Sequence, residues 1–309
     1  MIERYAGLCD ASAAVAIGQG HFAVADDELD VLRIYRRGAP EPVSALDLGD
    51  YLQNRRADGK RDEADIEGSA LIGTRIYWIS SHARKGKDGA LAPHRWRFFA
   101  TDIIAATPAP TLLPAPTPPY EALLADMLAD PRFAELREAS ARNPEAEGGL
   151  NIEGLAATRA GGLLIGFRNP LPKGMALAIP LLNPAAVIEG AARPEFGDLI
   201  RLDLGARGFR SVELVGDDYL IVAGPSGEAS ASTATPRFAL YRWTGLGGPA
   251  PKLVQSLDAG SFRPEALFLD PIADEIVLLS DDGDEEIGGR KCKQLPAAQK
   301  AFRAMSLKL

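Results

Sequence analysis

Residues 151–158, NIEGLAAT, place an acidic residue at the start of a strand of small and aliphatic residues, and this pattern decides the fold. The same arrangement occurs at CDASAAVAI (9–17), DIEGSALI (65–72), SVELVG (211–216) and PEALFLD (264–270). After each copy comes a second apolar strand that ends in polar residues. Repetition on this scale predicts one architecture built from similar units.

The spacing of the repeats identifies the unit. The recurrent acids are Asp10, Glu67, Glu153, Glu213 and Glu265, and they lie 57, 86, 60 and 52 residues apart. A period of about 50 to 60 residues is typical of a four-stranded propeller blade with its loops. The long interval contains residues 119–148, where apolar residues recur at helical spacing. Without this stretch the interval falls to about 56, so we predict a helical insertion at 119–148 between blades 2 and 3.

The strand count predicts how the ring closes. Alternating and β-branched stretches fill four blades with four strands each, whereas the fifth blade has only three before the chain stops. The N-terminal stretch MIERYAG is unassigned and can supply the missing strand, which would close the ring. We therefore predict a single five-bladed β-propeller over residues 1–309, an all-β fold. The alternative is a six-bladed ring with an additional blade in residues 183–205.

Composition excludes several kinds of partner. The net charge is −8, and the 34 Lys and Arg residues are scattered along the chain, which argues against nucleic acid as a partner. No run of 18 uncharged apolar residues occurs, and the N-terminus lacks a signal-peptide core, so we expect a cytoplasmic protein with no membrane partner. Export with a signal peptide removed before residue 1 is the alternative.

Cys9 and Cys292 match no zinc or redox motif. They fall in blades that adjoin through closure, but a reducing compartment predicts free thiols.

A propeller would gather the recurrent acids at one place. The innermost strands of the blades line a central channel, and the loops that enter them share a face with the ends of the second strands. Those ends follow the recurrent acids by 15 or 16 residues and are polar. They contain Asp26 and Asp27, Ser81 and His82, Arg168 and Asn169, and Asp281 and Asp282. We therefore predict a polar channel mouth.

Carboxylates crowded at one mouth repel each other and require a compensating partner. Calcium, which takes six to eight oxygen ligands, would provide it. Blades 1 and 5 are neighbours across the closure, so the predicted metal ligands are Asp10, Asp26, Asp27, Glu265, Asp281 and Asp282. The alternative is a structural role, in which the acids pair with Arg210 or Arg263 or accept hydrogen bonds from the backbone of the next blade.

Other polar residues of the predicted mouth are candidates for catalysis and ligand binding. His82 follows two serines and could serve as a general base, Glu153 as an acid or base, and Arg168 as a planar fork for a phosphate or carboxylate. The predicted ligand-binding residues are Glu67, Ser81, Asn169 and Glu213. The alternatives are a hydrogen-bonded surface histidine and a turn before Pro170. The helical insertion is either a lid over the mouth or a docked surface helix.

Several motifs together resemble a known family. CDASAAV, VADDE, VLRIYRRG, EADIEGSA, IYWISSH, LNIEGLA, GFRNPL and RPEAL resemble the bacterial domain of unknown function 3616 over nearly the whole chain. NIEGLA is also similar to the esterase-like phytase propellers and, more distantly, to calcium-dependent propeller lactonases. These relatives imply an acidic, metal-binding mouth, with Glu67, Glu153, Glu213 and Glu265 at the matching positions. The lactonases have six blades and a mixed set of ligands that this sequence does not reproduce residue by residue.

Together these features lead to three functional hypotheses. The first is a calcium-dependent hydrolase of a phosphoester or lactone, with a small-molecule or phosphorylated ligand. The second is a propeller without catalytic activity that binds a small ligand, a glycan or a protein. The third is a scaffold whose acids only join the blades.

Overall fold

The structure is a computed structural model that describes residues 2–86, 88–105, 108–227, 237–257 and 260–308. Over these residues the chain forms five four-stranded antiparallel sheets, and their inner strands contact one another in a closed ring. The predicted five-bladed propeller is therefore confirmed. The six-bladed alternative is wrong, because residues 183–205 contribute a short helix and the outer strand of blade 3.

The strands follow the chain around the ring. Strand β1 (Ile2–Ala6) precedes blade 1, and blades 1 to 4 each take four consecutive strands from the inside outward. Blade 1 is β2 (Ala11–Gly18), β3 (His21–Asp26), β4 (Val31–Arg36) and β5 (Pro42–Asp47), and blade 2 is β6 (Ile66–Ile72), β7 (Arg75–Ser80), β8 (Phe98–Ile104) and β9 (Thr111–Pro114). Blade 3 is β10 (Asn151–Ala157), β11 (Leu163–Asn169), β12 (Ala176–Leu181) and β13 (Ile200–Leu202), and blade 4 is β14 (Gly208–Val215), β15 (Asp218–Gly224), β16 (Ala239–Trp243) and β17 (Lys252–Ser256).

Blade 5 combines both ends of the chain. It contains β18 (Pro264–Asp270) and β19 (Glu275–Ser280), then a small hairpin of β20 (Glu286–Ile287) and β21 (Arg290–Lys291), and finally β22 (Ala301–Leu307). Strand β1 pairs antiparallel with β22 as the outermost strand. The N-terminal strand therefore completes the last blade, as predicted.

A disulfide between Cys9 and Cys292 spans the same junction, with 6.0 Å between the Cα atoms. The prediction of free thiols is wrong. It was based on an assumed reducing compartment, whereas the adjacency of blades 1 and 5 brings the two residues within bonding distance.

Packing between neighbouring blades explains the small residues of the repeat. A Cβ atom on Gly68 would lie 2.9 Å from the Cβ of Leu155 in the next inner strand, and one on Gly154 would lie 3.1 Å from Val212 in the strand after that. The glycine of the IEG motif thus lets the inner strands pack closely near the axis. Farther out, five apolar clusters fill the five interfaces between blades.

The predicted insertion contains two helices, α1 (Leu123–Ala129) and α2 (Ala134–Ser140), and blade 3 adds α3 (Pro184–Ile188) before its outer strand. Leu123, Met127, Phe133 and Leu136 are buried in the apolar cluster between blades 2 and 3. The insertion is therefore docked onto the propeller along its apolar side. No helix in the described part of the chain is long and apolar enough to span a membrane.

Candidate functional site

Each inner strand contains a β-bulge near its start, and the bulges define the mouth of the channel. The extra residue is Ser12, Glu67, Glu153, Arg210 or Glu265 in blades 1 to 5 respectively. A bulge leaves one residue out of the pairing and redirects its side chain. Because the bulges occupy the same register in every blade, these five side chains are structural equivalents.

This register corrects part of the predicted ring of acids. Blades 2, 3 and 5 carry the expected glutamate, but blade 1 has Ser12 and blade 4 has Arg210 at the equivalent position. Asp10 lies two residues before its bulge. Glu213 lies three residues after its bulge, makes no ion pair or hydrogen bond with any described residue, and has a pKa raised to about 8 by burial alone.

Arg210 links two of the predicted acids. Its Nη1 lies 3.0 Å from Glu153 Oε2, and its Nη2 contacts Glu265. Arg168 approaches the same glutamate from the end of β11, with Nη1 2.9 Å from Glu153 Oε1. Burial lowers the pKa of Arg210 to about 10, which still leaves it cationic at neutral pH. Arginine therefore compensates the bulge carboxylates of blades 3 and 5, as the structural alternative predicts.

The acids of blade 1 have no such partners. Asp10, Asp26 and Asp27 place carboxylate oxygens within 4.8 Å of one another. Asp10 Oδ2, Asp26 Oδ2 and Asp27 Oδ1 are buried and accept no hydrogen bond from any described residue. Asp281 is paired with Asp10 through a backbone bridge, so it lies beside the group. We call Asp10, Asp26 and Asp27 the blade 1 acid group.

Burial and mutual repulsion both act on these acids. Burial, with the neighbouring Asp281 next, raises the pKa of Asp10 to about 9. Burial also raises the pKa of Asp26 to about 7, and burial together with the charge of Glu67 raises the pKa of Asp27 well above its ordinary value. Removing carboxylates from water disfavours their charged form unless a cation compensates them. The charges of Lys300 and Arg33 offset part of this effect at Asp26, but no member of the blade 1 acid group makes an ion pair with a described residue. The group therefore offers hard oxygen ligands whose charged form burial disfavours.

Asp65, which the sequence analysis did not select, belongs to the mouth as well. Together with Asp27 and Glu67 it forms a second group of oxygens within 4.8 Å of one another. Asp65 accepts a hydrogen bond from Ser81 and lies 2.9 Å from Arg95 Nη1. It stands two residues before its bulge, the position that Asp10 and Asn151 occupy in their blades. The recurrence of polar residues at this position is the sequence signal that could have identified it.

His82, the predicted general base, is a buried residue that follows the second strand of blade 2. It is 1% exposed, its Nδ1 is 2.8 Å from the carbonyl oxygen of Ser80, and its Nε2 has no partner among the described residues. Burial lowers its pKa to about 4, so the ring is neutral. Its positive φ of 54° turns the chain so that the ring points into the interior. A role as a general base would require a substrate or water to reach this buried ring, and that role stays a prediction.

Three other predicted site residues hold the surrounding loops. The side chain of Ser81 donates to Asp65. Asn169 Nδ2 donates to the carbonyl oxygens of Pro144 at 2.9 Å and Ala146 at 2.7 Å, so it fixes the end of the insertion. Asp282, a predicted metal ligand, is 2.9 Å from Arg303 Nε and lies outside the blade 1 acid group.

The end of the insertion crosses the mouth face. Asn143 Nδ2 donates to the carbonyl oxygen of Gly86 in blade 2, and a Cβ atom on Gly227 in blade 4 would lie 2.3 Å from Glu145 O. Residues 143–148 thus lie between the loops of blades 2 and 4, above the end of β11. Beside them is a cleft of about 800 Å3, lined in part by Glu138, Arg142 and Lys173.

These features define a five-bladed β-propeller with two different regions at its channel mouth. In one, arginines pair with Glu153 and Glu265, and in the other Asp10, Asp26 and Asp27 make no ion pair with any described residue. Residues 117–258 match the model of a family described as protein of unknown function (DUF3616). The family resemblance that the motifs indicated is confirmed over that segment. No curated protein matches the chain.

Several solved structures are similar to the chain over nearly its whole length. Glutaminyl cyclase from Myxococcus xanthus is 11% identical with a TM-score of 0.49, and the match covers 98% of this chain and 94% of the cyclase. A putative oxidoreductase (glucose dehydrogenase) from Thermus thermophilus is 16% identical with a TM-score of 0.48 and 99% coverage of both chains. Aldose sugar dehydrogenase from Streptomyces coelicolor is 11% identical with a TM-score of 0.45, again with 99% coverage of both chains. The activities in these names are those of the three proteins.

Proposed function

We propose that the channel mouth binds a divalent cation, with calcium as the expected ion, and that the protein hydrolyses a small phosphoester there. One observation carries the proposal. Three buried carboxylate oxygens, from Asp10, Asp26 and Asp27, converge without a hydrogen-bond donor among the described residues. Buried charges are ordinarily paired or bound to a metal. A cation would supply the missing partner.

The chemistry of the blade 1 acid group favours a hard cation. All three side chains offer carboxylate oxygens, which suit calcium or magnesium. The nitrogen and sulfur ligands that zinc prefers are not part of the group, and both cysteines are bonded to each other. Calcium accepts irregular coordination more readily than magnesium, so it fits three carboxylates supplemented by water and backbone oxygens.

Arg168 supports an anionic substrate. Its Nε donates to the carbonyl oxygen of Pro225 and its Nη1 to Glu153, which leaves Nη2 without a hydrogen-bond partner among the described residues. The side chain is 21% exposed. A phosphate oxygen would accept from this nitrogen, whereas the neutral carbonyl of a lactone would be bound less strongly. We therefore expect the substrate to be a phosphoester in preference to a lactone.

These positions suggest a separate role for the cation and for Arg168 at the mouth. A bound cation would polarise a phosphoryl oxygen and lower the pKa of a water molecule. Arg168 would orient the phosphoryl group, and Glu153 and the backbone of Pro225 would hold that guanidinium in place.

The Cys9–Cys292 disulfide supports a role in an oxidising compartment instead of the cytoplasm predicted from the sequence.

The test begins with protein stripped by a chelator and then titrated with calcium chloride in a calorimeter. We expect binding in the wild type and a loss of affinity of at least about tenfold for Asp26→Asn. Glu213→Gln is the control, because it also replaces one carboxylate by an amide but lies outside the blade 1 acid group and the group of Asp27, Asp65 and Glu67. Absence of calcium binding to the wild type, or equal losses in the two variants, would contradict the proposed site.

Hydrolysis is tested separately with a panel of chromogenic phosphoesters and lactones, with and without calcium. We expect calcium-dependent release from a phosphoester and a raised KM for Arg168→Met. Calcium binding without turnover of any compound would reject hydrolysis and favour a propeller that only binds its ligand. Turnover of lactones alone would reject the phosphoester assignment.

A further inference from the structure

We infer that the mouth holds two cations, bridged by Asp27, instead of one. The inference rests on the proposed cation site and adds a second position made by Asp27, Asp65 and Glu67. We call these three residues the blade 2 acid group. The two acid groups have only Asp27 in common.

The size of a calcium ion separates the two positions. Ligand oxygens lie about 2.3 to 2.6 Å from calcium, so two oxygens on one ion are at most about 5 Å apart. The oxygens of each acid group satisfy this limit, but the five side chains do not form one group that satisfies it. A single ion therefore cannot take one oxygen from every acid, whereas two ions can share Asp27.

Glu67 independently points to a ligand at the second position. It is 9% exposed, and it makes neither a hydrogen bond nor an ion pair with any described residue. The bulge in β6 directs it toward Asp27 and Asp65. The equivalent glutamates Glu153 and Glu265 both contact arginine. Glu67 is thus the bulge glutamate that makes no direct ion pair within the described structure, although the charges of Arg210 and Arg168 act on it from a greater distance.

Asp65 is oriented to complete this position. Its contacts with Ser81 and with Arg95 are both made through Oδ2, which leaves Oδ1 available to a ligand. Two divalent cations would offset four of the five carboxylates in the two acid groups. Arg95 pairs with the fifth, Asp65, and also with Glu63.

A bridged pair of cations narrows the substrate class. In two-metal sites the ions lie about 3.5 to 4 Å apart and stabilise the attacking and leaving oxygens of a phosphoryl displacement. A pair at the mouth, with Arg168 beside it, therefore favours a phosphate monoester or diester over a lactone. Asp27 would be the residue on which both positions depend.

Calorimetric titration of the chelator-stripped full chain with calcium chloride measures how many calcium ions each chain binds. We expect two ions per wild-type chain, one for Glu67→Gln and one for Asp26→Asn, with Asp27→Asn weakening both by at least about tenfold. Glu213→Gln should retain two ions. Circular dichroism would confirm that each variant is folded.

A second measurement needs no variant. With manganese chloride, the wild-type protein should give the electron paramagnetic resonance spectrum of a spin-coupled pair, because bridged ions interact magnetically. One ion per chain, or two ions that remain uncoupled and are unaffected by Glu67→Gln, would overturn the bridged pair. If the wild type binds a single ion and Asp26→Asn abolishes its binding, the bridged pair is wrong but the proposed cation site stands. If the wild type binds no ion, the bridged pair and the proposed function are both wrong.

Discussion

Replacing Arg210 by methionine should destabilise the protein strongly, because this side chain compensates two buried glutamates. The exposed fractions of the side chains are 6% for Arg210, 3% for Glu153 and 10% for Glu265. Removing one partner from a buried ion pair costs about 3 to 5 kcal/mol, since the other charge stays buried and unpaired. For a chain of 309 residues, an unfolding entropy of about 2.1 cal/mol/K per residue converts about 4 kcal/mol into a fall of about 6 °C in Tm.

Thermal and urea unfolding followed by circular dichroism would measure this loss, with a chelator present so that cation binding does not contribute. Arg201→Met is the control, because Arg201 pairs with Glu135 on the surface, where the side chains are 46% and 40% exposed. Removal of such a surface pair should cost less than about 1 kcal/mol.

A rescue experiment separates lost charge compensation from lost packing. Glu153 keeps its ion pair with Arg168 in Arg210→Met, whereas Glu265 loses its ion-pair partner. Adding Glu265→Gln to Arg210→Met therefore removes the carboxylate left without an ion pair, so most of the lost stability should return. The reasoning is refuted if Arg210→Met destabilises no more than Arg201→Met, or if the double variant is as unstable as the single one.

Three further predictions concern the ring closure, the blade 1 acid group and the inner-strand residue Glu213. Replacing Cys9 and Cys292 by serine should lower the urea midpoint, with a loss of up to about 5 kcal/mol for a closed loop of this length; a reducing agent should shift the wild type alone, and an unchanged midpoint would contradict a formed disulfide. Gly283→Ala should weaken calcium binding in a calorimetric titration, because the new Cβ would lie 1.7 Å from Asp10 Oδ1 and displace that carboxylate; unchanged affinity would show that Asp10 is not a ligand. Glu213→Gln should be more stable than the wild type at pH 8 and equal to it at pH 4, since a pKa raised to about 8 makes the folded wild type lose stability as pH rises from about 4.5 to 8; parallel pH curves from urea titrations would refute this.

The sequence predicted the blade count because each blade begins with the same close-packed inner strand. The glycines of DIEG and NIEG are required where Gly68 and Gly154 contact the next blade, so the motif repeats with the architecture. Closure by β1 followed from a missing strand in the last blade. The disulfide was missed because the thiols were judged by an assumed compartment, although closure of the ring placed them in adjacent blades.

The site was harder to predict, because a β-bulge shifts the pairing between two strands without changing the alternation of apolar and polar residues in the sequence. Aligning the repeats by their acids placed Glu213 in the ring, whereas the bulge in β14 places Arg210 there. His82 was expected at the mouth, but a positive φ turns it inward. The partner of Asp282 is Arg303, 21 residues farther along the chain and in another strand, so its ion pair could not be read from local sequence.

The two explanations of the acidic mouth apply to different parts of it. If the acids only joined the blades, each should have a donor, as Glu153 and Glu265 have in Arg210. Asp10, Asp26 and Asp27 have buried oxygens without any donor in the described structure, although arginines elsewhere at the same mouth show that the fold can supply them. The raised pKa values of Asp10, Asp26 and Asp27 mean that protonation relieves the charge when no cation is bound, whereas a bound cation would keep all three carboxylates ionised. The structural explanation therefore accounts for blades 3 to 5, and the proposed cation would account for blade 1.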